Sequence, residues 1–242
     1  METSRTTGSG GEHASSDVGS SAGADVTHTQ RLCQTCVEVL DVDGAAVAVM
    51  GGAQAREVVF ATDAVVQQLD ELQFTLGEGP CVDAFRTREP VQVVDLDSDQ
   101  AMERWPGFAR EATLAGARSV FAFPLQVGRV RFGVLELYRR TARALSDEAM
   151  TSALLIAETL AHAVLVDLAG QDSISATPQN PEPLFGRREV HQATGMVAVQ
   201  VGVPIPEALA RLRAAAFASQ RPILDVARDV VAGNIDFART RP

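Results

Sequence analysis

The chain has 242 residues, a formal net charge of −10, three cysteines and no lysine, so all 21 of its basic side chains are arginine. That length allows one domain of ordinary size and a smaller one. Three cysteines give no disulfide framework, and no run of about 18 uninterrupted apolar residues is present to cross a bilayer. The charge is uneven: residues 1–183 hold 13 arginines and 26 acids, whereas Leu184–Pro242 hold eight arginines and five acids. An acidic body repels a polyanion and a basic tail attracts one. The tail is therefore the candidate effector end, and a polyanion is its first candidate partner.

The first thirty residues are rich in Gly, Ser, Thr and Ala and have no apolar segment that could serve as a signal peptide. They predict a disordered arm over 1–27 on a cytoplasmic protein. Leu32, Cys33, Cys36, Val37 and Leu40 then fall on one helical stripe, which ends at the turn Asp41-Val-Asp-Gly44. Ala45 to Met50 reads as a central strand, Val58 to Ala61 as its hairpin partner, and Asp63 to Gln73 as a helix. Val91 to Asp95, Val120 to Val127 and Arg131 to Tyr138 read as further strands, the last two joined by a tight turn at Val127 to Arg129. Ser146 caps a long helix running to about Leu168, with Asp147 and Glu148 in its first turn. Met150, Ala153, Leu154, Ala157, Leu160, Ala161 and Val164 form its apolar stripe. The expected class is α+β, an antiparallel sheet with flanking helices.

Chemistry-bearing clusters are sparse. Cys33-Gln-Thr-Cys36 has the spacing of half a zinc knuckle, but no second pair completes it, and a buried helical stripe gives the same spacing. Asp95, Asp97 and Asp99 lack the Gly and terminal Glu of a calcium loop and read as an acidic turn. No nucleophile, metal or phosphate-cradling set stands out, which disfavours an enzyme.

Phe74-Thr-Leu-Gly-Glu-Gly-Pro-Cys-Val-Asp-Ala-Phe85, with Glu89-Pro-Val and Asp95-Leu following, resembles the signature of bacterial GAF domains that precede regulatory output modules. The order of elements over 28–168 agrees, including the closing strand Phe132-Gly-Val-Leu-Glu-Leu-Tyr138. Gly77 and Gly79 permit a tight loop, and Pro80 suits a first helical position. The resemblance implies a fold that can enclose a small ligand between its sheet and the segments crossing it, or one that serves only as a dimerisation platform. Phe74, Cys81, Met102, Trp105, Phe108 and Phe121 are the lining candidates, with Asp97 to Phe108 read as a loop wall. The sequence identifies no ligand or cofactor.

Gln171 to Pro183 is polar and proline-containing and reads as a linker. Three helical segments follow, at about Leu184–Val201, Pro206–Ala218 and Pro222–Val231, with Gly202 and Gly233 at helix ends. Val190, Ala193, Val197 and Val201, then Leu209, Leu212 and Ala216, then Ile223, Val226, Ala227 and Val230 line their apolar faces; Phe217 is expected in the core. The resulting unit is small and should lean on a partner domain or a second chain. Together with the stripe on Met150 to Val164, that predicts a homodimer.

Arg187, Val190, Gln192-Ala-Thr-Gly-Met196, Ala208-Leu209, Leu212-Arg213 and Val226-Ala227 resemble the ANTAR domain of bacterial transcription antiterminators. The resemblance implies binding of paired RNA hairpins in a leader transcript, which keeps a terminator from forming and so acts indirectly on RNA polymerase. Thr194 and Pro222 stand where that family often carries a basic residue. The RNA-contact candidates are Arg187, Arg188, His191, Gln192, Thr194, Gly195, Arg211, Arg213 and Arg221. Gly195 is included because a missing side chain lets RNA or a helix approach. The alternatives are a DNA-binding regulator and an interaction module that binds no nucleic acid.

The expected organisation is a disordered arm (1–27), a GAF-like sensor (28–169), a linker (170–183), an ANTAR-like three-helix RNA-binding domain (184–235) and a tail (236–242). No membrane association is expected.

Overall fold

The computed structural model describes residues 27–51, 55–171, 181–219 and 221–238. The side chains of 51, 55, 56, 170, 171 and 181–188 lie outside that description, as do nearly all of the expected arm, the middle of the expected linker and residues 239–242.

The first helix, α1 (His28–Leu40), starts at a reciprocal cap: Thr27 Oγ1 accepts from the Gln30 amide while Gln30 Oε1 accepts from the Thr27 amide. It stops at Asp41, which adopts the left-handed conformation with φ of 51°. Strands β1 (Gly44–Gly51) and β2 (Ala55–Ala61) follow as an antiparallel pair. Next come α2 (Ala64–Leu76), capped by Asp63 Oδ1 on two amides, and α3 (Pro80–Thr87). Strand β3 (Val91–Val93) leads to α4 (Asp99–Arg104) and α5 (Pro106–Leu114). The segment expected to be a loop wall is thus largely helical: Ser98 Oγ caps α4 and Pro106 opens α5.

Strands β4 (Ser119–Val127) and β5 (Val130–Arg139) are joined at Gly128-Arg129, and the sheet order is β2-β1-β5-β4-β3, antiparallel throughout. Alternation along the central strands sends side chains to two cores. Val120, Ala122, Val134 and Tyr138 face α2, α3 and α5, whereas Phe121, Phe123, Leu125, Leu135 and Leu137 face α1 and α6 (Asp147–Gln171). The sheet is therefore the middle of three layers.

The apolar stripe of α6 packs within the chain: Ala153, Ala157, Leu160, Ala161 and Val164 are buried in the α1–sheet core. That stripe cannot also pair with a second chain, as the sequence reading had it. Leu154 departs from it and faces outward with Leu155, Leu165 and Val166. By length and composition Asp147–Ala169 could cross a membrane, the one single helix among the described residues that could.

The C-terminal unit comprises α7 (Pro181–Val201), α8 (Ile205–Ala218) and α9 (Ile223–Val231). Gly202, with φ of +68°, and Gly233, with φ of +77°, follow α7 and α9. Pro206 lies in the first turn of α8, while Pro222 caps α9 from one residue outside. The expected apolar positions form its core, Val201 being partly buried. Phe217 does not join it: the side chain is 82% exposed.

Candidate nucleic-acid interface

On α7, Val190, Ala193 and Val197 are buried, which turns His191 and Gln192 outward. Thr194 lies on the buried side, 2% exposed, with its hydroxyl donating to Val190 O at 2.7 Å. This bond back to the preceding turn satisfies the hydroxyl within the helix. Thr194 is thus a core residue and cannot reach RNA. Around Gly195 the space is open: an added Cβ would meet nothing within 4 Å. No helix among the described residues exploits the missing side chain. Arg187 and Arg188 lie on α7, but their side chains fall outside the described residues.

The other arginines of the tail among the described residues are held by acids or by the sensor. Arg211 pairs with Glu207 at 2.6 Å one turn earlier, Arg221 with Asp229 at 2.7 Å, and Arg228 with Glu189 of α7 at 2.9 Å. The Arg221 hydrogen bond, supported by Asn234, holds the Asp229 carboxyl below its ordinary range. Such exposed pairs are screened by solvent and weak, so a phosphate can take over the guanidinium at little cost.

Arg213 is different. Its Nε and Nη2 donate to Phe74 O at the end of α2, at 3.1 and 2.5 Å, and its guanidinium lies 5.8 Å from the Phe74 ring. Burial pushes its pKa down to about 10, which still leaves it charged at neutral pH. The same ring meets His191 edge-on, with centroids 6.1 Å apart. Phe74 packs in the core of the three-helix unit, and a Cβ on Gly77 would lie 2.6 Å from Arg213 Nη1. The sensor and the tail thus share a contact at two of the RNA-contact candidates. Sequence spacing carried no signal for it, because its partners lie more than a hundred residues apart.

The six ligand-lining candidates divide among three cores. Cys81, Trp105 and Phe108 are buried together beneath α2–α5, with Met102 partly buried against them. Phe121 faces the opposite side of the sheet, and Phe74 belongs to the tail's core, so neither groups with the other four. Around that four-residue group the polar contacts are specific. Glu78 Oε1 accepts from the Gly107 and Phe108 amides at 2.8 and 2.9 Å, capping α5. Asp83, almost fully buried, binds Arg86 and Arg104, and Arg104 lies 4.5 Å over the Trp105 ring. Cys33 and Cys36 are buried; burial pushes the Cys36 thiol up to about 12 and that of Cys33 higher, so neither is a thiolate at neutral pH. No group of three or more His, Cys, Asp or Glu side chains suited to a metal occurs among the described residues.

Two domain families match in tandem: GAF domain over residues 28–164 and ANTAR domain over residues 182–231. The chain belongs to the GAF domain family and carries an ANTAR domain after it. A GAF sensor coupled to an ANTAR domain is the architecture of RNA-binding antitermination regulators, and both modules are regulatory. No curated protein matches the chain in sequence. Among solved structures, a GAF domain of a Synechocystis protein has a TM-score of 0.48 at 16% identity, covering 60% of this chain and 97% of its own. The GAF domain of a phosphoenolpyruvate-protein phosphotransferase from Coxiella burnetii has a TM-score of 0.48 at 16% identity, covering 62% and 89%.

Proposed function

We propose that the three-helix unit binds paired RNA hairpins of a leader transcript, keeping a terminator from forming and acting on RNA polymerase only indirectly, and that the regulator works as a homodimer. The observation that carries the reading is the ANTAR domain match over 182–231 on the positively charged end of an otherwise acidic chain. His191 and Gln192 face solvent on α7, and Arg211, Arg221 and Arg228 sit in exposed pairs that phosphate can replace. The dimer is assigned to the outer face of α6, where Leu154, Leu155, Leu165 and Val166 flank Glu158 and His162. Two ionisable groups in mid-stripe suit a protein partner better than a lipid core. The cytoplasm, where nascent transcripts are made, is its proposed location.

Selecting bound RNA from total transcripts, with duplex DNA of matched length as competitor, tests the reading. Enrichment of sequences that fold into paired hairpins is the expected result. Preferential capture of the DNA, or no enrichment, contradicts it.

A further inference from the structure

We infer that the sensor domain masks part of the RNA-binding face: the end of α2 and its turn, Phe74–Gly77, hold Arg213, and RNA must displace the sensor to reach its guanidinium, whereas His191 stays exposed at the edge of the contact. The inference rests on the reading that Arg213 contacts RNA.

The contact has the features of a built dock. Phe74 O lies at the C-terminal end of α2, where helix carbonyls lack helical partners and the dipole is negative, so a guanidinium is a fitting ligand. Gly77 provides both the left-handed corner, with φ of +71°, and the room for Arg213. The Phe74 ring supplies the apolar surface that the small unit lacks on its own.

The dock is also replaceable. Arg213 gives up water for a neutral carbonyl and a ring face, and its lowered pKa reports the penalty. A phosphate offers the same guanidinium a charged, two-pronged acceptor.

The turn is tied to the interior of the sensor. Gln73 Oε1 accepts from the Cys81 amide and its Nε2 donates to Glu136 Oε1, both at 2.7 Å, while Glu78 reaches across to cap α5. These bonds tie the turn that holds Arg213 directly to α3, α5 and the sheet.

Phe74→Ala in the full chain removes the ring without altering any RNA-contact candidate, and Phe74→Leu keeps most of its volume but loses the aromatic face. Near-ultraviolet dichroism of Trp105, the single tryptophan, reports whether the sensor stays folded. Should Phe74→Ala lose that signal, Phe74→Leu carries the test. Hydrogen exchange at the end of α2 and along α8 reads the dock, and titration with a paired-hairpin RNA reads the masking. Faster exchange with RNA binding tightened about tenfold or more, less so for Phe74→Leu, is expected, since apparent affinity scales with the fraction of open protein. Faster exchange with unchanged or weaker RNA binding overturns the masking and leaves the RNA reading intact. Unchanged exchange and affinity in both variants overturn the dock. No RNA binding by any of the three proteins overturns the RNA reading and the inference with it.

Discussion

Gly79 sits at φ of +131° between α2 and α3, and a Cβ there would lie 2.5 Å from Gln73 Cγ. Replacement by valine therefore adds backbone strain to a collision with the side chain that anchors α3. Gly79→Val should destabilise the sensor by about 2–4 kcal/mol and lower its melting temperature. Arg139, 4% exposed, donates to Leu40 O, Asp41 O, Arg143 O and Ala144 O, clamping the end of α1 to the segment after β5. Burial lowers its pKa, and a lysine cannot span the four carbonyls. Arg139→Lys should cost about 2–3 kcal/mol in denaturant unfolding. At this scale the glycines were legible because each precedes or follows a helix signal. The burial of Thr194 and the dock of Arg213 were not: the first depends on which turn of a helix faces inward, the second on contacts distant in sequence.

The elements of the sheet were read with small shifts at their ends, since alternation and turn residues mark a strand directly. Helices α4 and α5 replace the expected loop wall; Ser98 and Pro106 are ordinary start signals, but each helix is too short to show a periodic stripe. The long helix is legible in the sequence, but the partner of its stripe is not: one amphipathic face does not say whether sheet or second chain covers it, and here the sheet and α1 do. Its end is fastened to α1 by Asp167, which accepts from the Thr29 amide at 2.9 Å, from the Thr29 hydroxyl at 2.7 Å and approaches His28 Nδ1 at 3.1 Å. Burial alone would raise the Asp167 pKa, but these partners outweigh it and the net shift is downward from 3.8. A depressed carboxyl stabilises the fold above its unfolded pKa and loses that contribution as pH falls through the folded one. Asp167→Asn should therefore be less stable by about 1–2 kcal/mol at neutral pH, with the gap narrowing once pH drops below about 4. On the outer face of α6, the double variant Leu155→Glu, Leu165→Glu should shift the proposed dimer to monomer in sedimentation over a wide concentration range. A wild type that is monomeric throughout contradicts the dimer.

Across the whole molecule, the acidic sensor and the positive tail divide the electrostatic work: the first discourages indiscriminate nucleic-acid binding while the second admits phosphate. The two-domain plan was legible because each domain carries its own motif, whereas the face they share was not, since neither motif refers to the other. The proposed RNA site is the α7 side of the tail, with its cations and hydrogen-bonding groups. It is tested most directly by titrating the wild type and the double variant Arg187→Glu, Arg188→Glu with a paired-hairpin RNA at several salt concentrations. Wild-type affinity should fall steeply with salt, and the variant, with helicity retained, should bind at least about tenfold more weakly at low salt and with a shallower slope. Equal affinities for the two proteins, or equal binding of hairpin RNA and duplex DNA by the wild type, would contradict it.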